Sequence, residues 1–157
     1  MTRVGIGVDI HRFVPGRRLV IGGVAIPYVQ GLEGHSDADV LAHALGDALL
    51  GAAALGDIGH FYPDTDPKFK DMDSMIILRE VGEKLRQQGS RIANVDVAIV
   101  AQVPKLAPHI PQMQKIVAQN LAISPNQVGI KATTSEWLGF TGRKEGIIAV
   151  AVAAVES

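Results

Sequence analysis

Apolar and polar positions fall into blocks along the chain, and each block predicts an element. Residues 3–8, RVGIGV, read as an opening strand that ends in Asp9-Ile10-His11, where side chains two apart share a face. Gly5 and Gly7 weaken a strand interior and imply that something approaches its backbone closely. Segments 18–21 and 24–27 flank Gly22-Gly23, a two-residue glycine turn that predicts a β-hairpin. A loop over 28–33 leads to a central helix, with Val40, Leu41, Ala44, Leu45, Ala48 and Leu49 as its apolar face. Ser36 followed by Asp39 supplies an N-terminal cap and a carboxylate at the positive end. Asp39, His43 and Asp47 are four apart, so the pattern predicts a histidine bracketed by carboxylates on one helix side. Gly56 and Gly59 then break the periodicity.

Residues 60–73 read as a long polar loop of the kind that serves as a lid or binding loop. A second helix over 74–88 is capped by Asp73 or Ser74, turns Met75, Ile76, Leu78, Val81 and Leu85 inward and stops at Gly89. Residues 91–102 alternate and then run apolar, as in a strand buried at one end. Pro108 and Pro111 frame the entry to a third helix over 109–121, and Ser124-Pro125 caps a turn before a strand at 128–134. After a glycine-rich loop, residues 147–155, IIAVAVAAV, have no polar face, which predicts cover on both sides and an oligomer interface.

At 157 residues, 47% apolar and 20% charged, the chain fits one domain spanning residues 1–157 with its own core. The net charge of −1 and the absence of a basic block argue against nucleic-acid binding. No apolar run is long enough for a membrane span, and the first residues meet Asp9 too early for a secretory signal. The expected setting is cytoplasmic, or the plastid stroma if a transit peptide has been removed. Cysteine is absent, so any metal must be held by histidine and carboxylate.

The chemistry collects in two places. Asp9 and His11 form a clip on one strand face, and His43 adds a second nitrogen. Singly these residues also suit a strand end or a packed helix; together they make a three-ligand zinc set with an open fourth position, as in catalytic sites. Farther along, Lys131, Thr133, Thr134, Ser135 and Glu136 suit phosphate and a hard cation such as Mg²⁺ or Mn²⁺. The same run also fits a half-exposed strand with its polar face outward. GIGVD, residues 5–9, lacks the third glycine and the following helix of a dinucleotide fingerprint.

The segments GVDIH, GHSDADVLAHALGDALLGA, GDIG followed by PDTDP, NVDV, PKLAPHIPQM and KATTSEWLGFTGRKEGI resemble, in order and spacing, the 2-C-methyl-D-erythritol 2,4-cyclodiphosphate synthases. These are the ring-closing enzymes of the methylerythritol phosphate route to isoprenoids, and the resemblance covers essentially the whole chain. It implies an α+β subunit, a β-sheet with helices packed on one face, assembled as a homotrimer with active sites between neighbours. The implied reaction converts 4-diphosphocytidyl-2-C-methyl-D-erythritol 2-phosphate, a small-molecule substrate, to the 2,4-cyclodiphosphate and CMP.

By motif, Asp9, His11 and His43 would hold Zn²⁺, Glu136 would serve Mg²⁺ or Mn²⁺, and His35 and Thr134 would stabilise the transition state with Ser36 beside them. Asp57, Ile58, Gly59, Tyr62, Pro63, Asp64, Thr65 and Asp66 would receive the erythritol and its phosphate. Ala101, Gln102, Val103, Pro104, Lys105, Leu106 and Ala107, with Thr133, would form the cytidine pocket of the adjoining subunit, and Ser135, Phe140 and Arg143 complete the set. The chain departs from many members at Val8, often aromatic, and at Val150, often glutamate, which makes the expected axial channel more apolar; Tyr62 replaces a usual phenylalanine. Two competing expectations are a zinc-dependent phosphohydrolase, in which metal-bound water attacks, and a non-catalytic oligomer stabilised by metal.

Overall fold

Glycine at positions 5 and 7 determines how the sheet meets its central helix. In the computed structural model, which describes residues 1–157, strand β1 (Thr2–Pro15) turns both glycines toward helix α1 (Val40–Ala52). A Cβ on Gly5 would lie 2.0 Å from the Ala48 carbonyl oxygen, and one on Gly7 would lie 1.9 Å from that of Ala44. The helix backbone therefore rests directly on the strand, with Ala44, Ala48 and Ala52 buried at the contact.

Around this contact the chain builds a five-stranded sheet in the order β4-β1-β7-β5-β6, with β4 at Gln30–Leu32, β5 at Arg91–Val100, β6 at Val128–Thr133 and β7 at Gly146–Glu156. Strand β7 is antiparallel to both β1 and β5, whereas β5 and β6 run parallel, joined by a helical crossover. Helices α3 (Ser74–Gln87) and α4 (Ile110–Leu121) join α1 on one face, so the α+β expectation holds. Between them lie Leu41, Leu45, Leu78, Leu85, Ile99 and Met113, all excluded from solvent. Two four-residue helices, α2 (Ile58–Phe61) and α5 (Gly139–Gly142), punctuate the loops.

The hairpin of β2 (Leu19–Ile21) and β3 (Val24–Ile26) stands where the glycine turn predicts it, with both glycines at positive φ. Its turn is tied to α1 by Asp39. This side chain, fully buried, caps the helix through the Ala42 N–H at 3.0 Å and accepts the Gly22 and Gly23 N–H groups at 2.9 and 2.8 Å. Burial and the nearby Asp37 charge push its pKa up to about 6, while the three N–H donors work to keep it ionised.

Several expectations need correcting. Strand β1 continues to Pro15, so Asp9 and His11 lie within it rather than at its end. Asp39 alone caps α1; Ser36 turns to His43 instead. The stretch 60–73 is not structureless, because it contains the end of α2 and a 3₁₀ turn at Pro67–Phe69. In α3 it is Ile77 that packs inward while Ile76 is exposed, since Ile77 falls with Ser74, Leu78, Val81 and Leu85 at three- and four-residue spacing and Ile76 does not. Strand β5 ends at Val100, α4 begins at Ile110 and β6 ends at Thr133.

Strand β7 is covered on one side only: Ile147, Ala149, Ala151, Ala153 and Val155 are buried, but Val152 on the other face is 42% exposed. Beside it Val4 and Ile6 of β1 are each 67% exposed, and Val8 and Ile10 are about half exposed. The expected cover on both sides is therefore absent within one chain. An apolar sheet face stands open.

The strand–helix contact generates a direct test. Gly7→Ala places a methyl group against backbone that cannot rotate away, so it should cost about 3 kcal/mol of stability, at the upper end for overpacking. Urea denaturation of the metal-free protein measures it. A loss below about 1 kcal/mol would mean that the helix stands farther from the strand than described.

Candidate metal centre and pocket

With α1 held against β1, His43 projects from the helix toward Asp9 and His11 on the strand. Asp9 Oδ2 lies 2.8 Å from His11 Nε2 and 3.3 Å from His43 Nδ1, and the two ring nitrogens are 3.3 Å apart. All three side chains are partly buried, and their ligand atoms lie within 4.8 Å of one another.

The outer contacts decide which nitrogens carry protons. His11 Nδ1 is 2.6 Å from the Glu33 carbonyl, which can only accept, so Nδ1 is the donor and Nε2 keeps its lone pair. His43 Nε2 lies 2.8 Å from Ser74 Oγ and 3.1 Å from Ser36 Oγ. Ser74 Oγ gives its own proton to Asp37, whose other oxygen accepts the Ser74 N–H at 3.0 Å. Ser74 must therefore accept from His43, and Nδ1 of that ring is left bare. Two imidazole lone pairs and a carboxylate oxygen then face one point, and Asp9 Oδ2 is buried there with no aligned hydrogen-bond donor. Such a set demands a positive charge. Two nitrogens and one oxygen suit a divalent ion of the zinc type with an open position.

Burial works against both charges of the strand pair. Contact with the two imidazoles nevertheless holds Asp9 down to about 2, and Asp9 holds His11 above its ordinary value. A cation would take the place of the proton that Asp9 favours on His11.

The expected bracketing of His43 by Asp39 and Asp47 does not occur. Asp39 is engaged with the hairpin, and Asp47 accepts the Ile58 N–H at 2.8 Å, burial raising its pKa. Four-residue spacing put them on the right helix, but the sheet claims the side that faces Asp9. Ser74 and Asp37, which do orient His43, lie on separate segments, and no local spacing in the sequence links residues 37 and 74.

The triad opens into a cavity of about 460 Å³. Of the expected substrate residues, His35, Ser36, Ile58, Gly59, Tyr62, Pro63 and Asp64 line it. Sequence reasoning did not find Glu33, Phe69, Met72 and Ile77, which also line it. Asp57 caps α2 through the His60 N–H at 3.0 Å, and Asp66 caps the following 3₁₀ turn while its carbonyl lies 2.9 Å from His35 Nε2. Thr65 is exposed beside them. The Tyr62 hydroxyl bonds Glu80 of α3, which together with burial raises its pKa.

The remaining expected residues gather elsewhere on the chain, beyond the ends of the parallel strands β5 and β6. The Ala101 N–H donates to the Thr133 carbonyl at 2.9 Å, and the Trp137 N–H donates to Gln102 Oε1 at 3.1 Å. Around this junction lie Val103, Pro104, Lys105 and Ala107, the exposed Thr134 and Glu136, and Ser135, while Leu106 is buried in the core. Arg143, near Phe140 in α5, pairs with Glu145 at 2.9 Å. Lys131 is engaged with Asp96 on the open sheet face. None of these residues lines the metal-centre cavity.

The orienting role of Ser74 can be measured with zinc alone. Ser74→Ala should weaken zinc binding about 10- to 100-fold in competition with a chromophoric chelator. An unchanged affinity would mean that Ser36 suffices to fix the ring.

The sequence model of the YgbB family matches residues 2–156. Curated relatives named 2-C-methyl-D-erythritol 2,4-cyclodiphosphate synthase include that of Moorella thermoacetica, 60% identical over 150 residues covering 96% of this chain and 92% of the relative. That of Syntrophomonas wolfei is 59% identical over 154 residues, 98% of each chain. Among solved structures, the bifunctional IspDF of Campylobacter jejuni superposes with a TM-score of 0.95 at 45% identity, over 99% of this chain and 42% of that longer one. A 2C-methyl-D-erythritol-2,4-cyclodiphosphate synthase solved in a CDP-bound form superposes with a TM-score of 0.89 at 34% identity, over 98% of this chain and all of that one.

Proposed function

The chain belongs to the YgbB family, and from that premise and the convergent Asp9–His11–His43 centre we propose that it closes the 2,4-cyclodiphosphate ring of 2-C-methyl-D-erythritol, releasing CMP. It is a lyase of isoprenoid biosynthesis. The observation that carries the reading is the triad itself: two histidines fixed in complementary tautomers against a buried, donorless carboxylate oxygen, opening into a polar cavity.

In the reaction an oxygen of the substrate's 2-phosphate forms a bond to the β-phosphorus. The bond from that phosphorus to the bridging oxygen breaks, and the bridging oxygen leaves on CMP. The attacking phosphate is already ionised, so the protein needs no strong base. It must hold the chain of atoms in line and offset charge. Asp9, His11 and His43 would hold Zn²⁺, which when bound polarises a phosphoryl oxygen and offsets its charge.

His35 donates Nε2–H to the Asp66 carbonyl, so a contact from its Nδ1 to a phosphate requires the doubly protonated ring, with the Ser36 hydroxyl one residue away. The Ile58–Gly59 start of α2 and the Tyr62–Pro63–Asp64 stretch would receive the erythritol. Thr134 and Glu136, with Mg²⁺ or Mn²⁺ on the latter, and the 101–107 loop for cytidine would complete the site.

These last groups lie outside the cavity of their own chain, which supports a homotrimer whose neighbours contribute them. The open apolar face of β1 and β7 supports the same assembly. We read the setting as cytoplasmic; no helix is long and apolar enough to cross a membrane.

Phosphorus NMR of the diphosphocytidyl substrate with protein, zinc and magnesium tests the reaction. The expected result is a pair of cyclic diphosphate resonances appearing with CMP; linear phosphates instead would mean hydrolysis. A second expectation separates the two cation sites. Glu136→Ala should lower turnover at least about 100-fold while zinc binding stays intact, because charge at the transferring phosphoryl groups is a large term. Full turnover in saturating magnesium would remove Glu136 from the site.

A further inference from the structure

The turn over residues 33–36 does more than carry His35. Its Glu33 carbonyl accepts from His11 Nδ1, and its Ser36 hydroxyl contacts His43 Nε2, so one short segment orients both histidines of the metal centre. The His11 ring packs on Gly34, where a Cβ would lie 3.3 Å from Cε1. On its other side the segment is held to the 63–73 loop by the Asp71 N–H, which donates to the His35 carbonyl at 2.8 Å.

What fixes the turn from behind is Arg17. Its Nη1 donates to the Gly34 carbonyl at 2.6 Å and its Nη2 to the Ser36 carbonyl at 2.5 Å, bracketing His35. Neither carbonyl accepts a backbone N–H, so without Arg17 both would need water. The base of the arginine is itself clamped: Gly31 of β4 lies so close that a Cβ there would fall 2.6 Å from the Arg17 carbonyl oxygen. Arg17 does not line the metal-centre cavity. It faces a separate surface recess of about 290 Å³ with Arg18, Val20, Asp37 and Asp71.

We propose that Arg17 is a positioning residue for the cyclisation, setting His35, Ser36 and both metal-binding imidazoles through the two carbonyls that it grips. The inference rests on the cyclase reading for its kinetic consequence, but not for its structural one. Two parallel N–H vectors from one planar fork meet two carbonyls two residues apart. A lysine ammonium can satisfy them only as a point charge, so Arg17→Lys should not restore the geometry.

The experiment compares wild type, Arg17→Gln and Arg17→Lys, all loaded with zinc. Hydrogen exchange should speed up at least about tenfold at the Asp37, Ala38 and Asp71 amides in both variants, while interior amides of α1 keep their protection. Turnover per zinc-loaded site should fall about 10- to 100-fold with KM changed less than about threefold, as expected when reacting groups are misplaced but binding persists. Unaltered local exchange would overturn the clamp whatever the kinetics. Loosened exchange with undiminished turnover per loaded site would overturn its role in the reaction. A general fall in protection across α1 would show a merely structural residue. If wild type itself formed no cyclic product, the function assigned above would fail, and the exchange data would still decide the clamp.

Discussion

The distance between α1 and β1 governs everything at the metal centre. A helix normally stands off a sheet by the length of its side chains, but here alanines meet glycines and backbone meets backbone. Only at that separation does a histidine on the helix reach across to a carboxylate and a histidine on the strand at 3.3 Å. Any methyl group inserted at Gly5 or Gly7 would widen the gap along the whole contact. The site's chemistry is therefore set by what the sequence leaves out of the strand, as much as by the ligands placed on it.

Closeness alone gives three polar atoms at one point; orientation makes them ligands. The carbonyl of Glu33 and the Asp37–Ser74 relay dictate opposite tautomers on the two rings, so that Nε2 of one and Nδ1 of the other turn inward. The relay also brings the start of α3 into contact with α1, because Ser74 is the first residue of that helix and Asp37 accepts its N–H. Asp39 does the equivalent for the hairpin. Two nearby aspartates thus fasten two different elements to the turn that opens α1, and neither side chain hydrogen-bonds a metal ligand.

Much of this frame was legible in the sequence. The glycine turn, the main strands and the amphipathic helices fall close to where the pattern predicts them, because each is decided by residues adjacent in the chain, whereas β4 lies in a stretch that reads as loop. The close approach to Gly5 and Gly7 was legible too, though not the identity of the approaching helix. What misled was spacing taken as contact: Asp39 and Asp47 share a side of α1 with His43, yet packing gives each a different partner. The groups that do orient the ring come from segments 31 residues or more away, or from a turn whose shape depends on Arg17. Ile76 and Ile77 show the same limit at small scale, since adjacent helix positions point about 100° apart and only Ile77 lies on the packed stripe.

The division of the expected site into two groups follows from sheet geometry. Asp9 and His11 sit on the helix-covered side of β1, beside buried Gly7, whereas Lys131 and Thr133 alternate outward from Ile130 on β6 at the sheet's edge. No side chain can bring such groups together across the sheet within one subunit. A cavity open to solvent on its own chain would also admit water to a phosphoryl group, favouring hydrolysis over ring closure. Under the proposed trimer both difficulties have one solution: a neighbour's exposed 133–136 segment and 101–107 loop cap the metal centre and exclude water from it. The exposed valines and isoleucines of β1 and β7 would then supply the apolar contact that holds the neighbour in place, so that ring closure and assembly depend on the same face of the sheet.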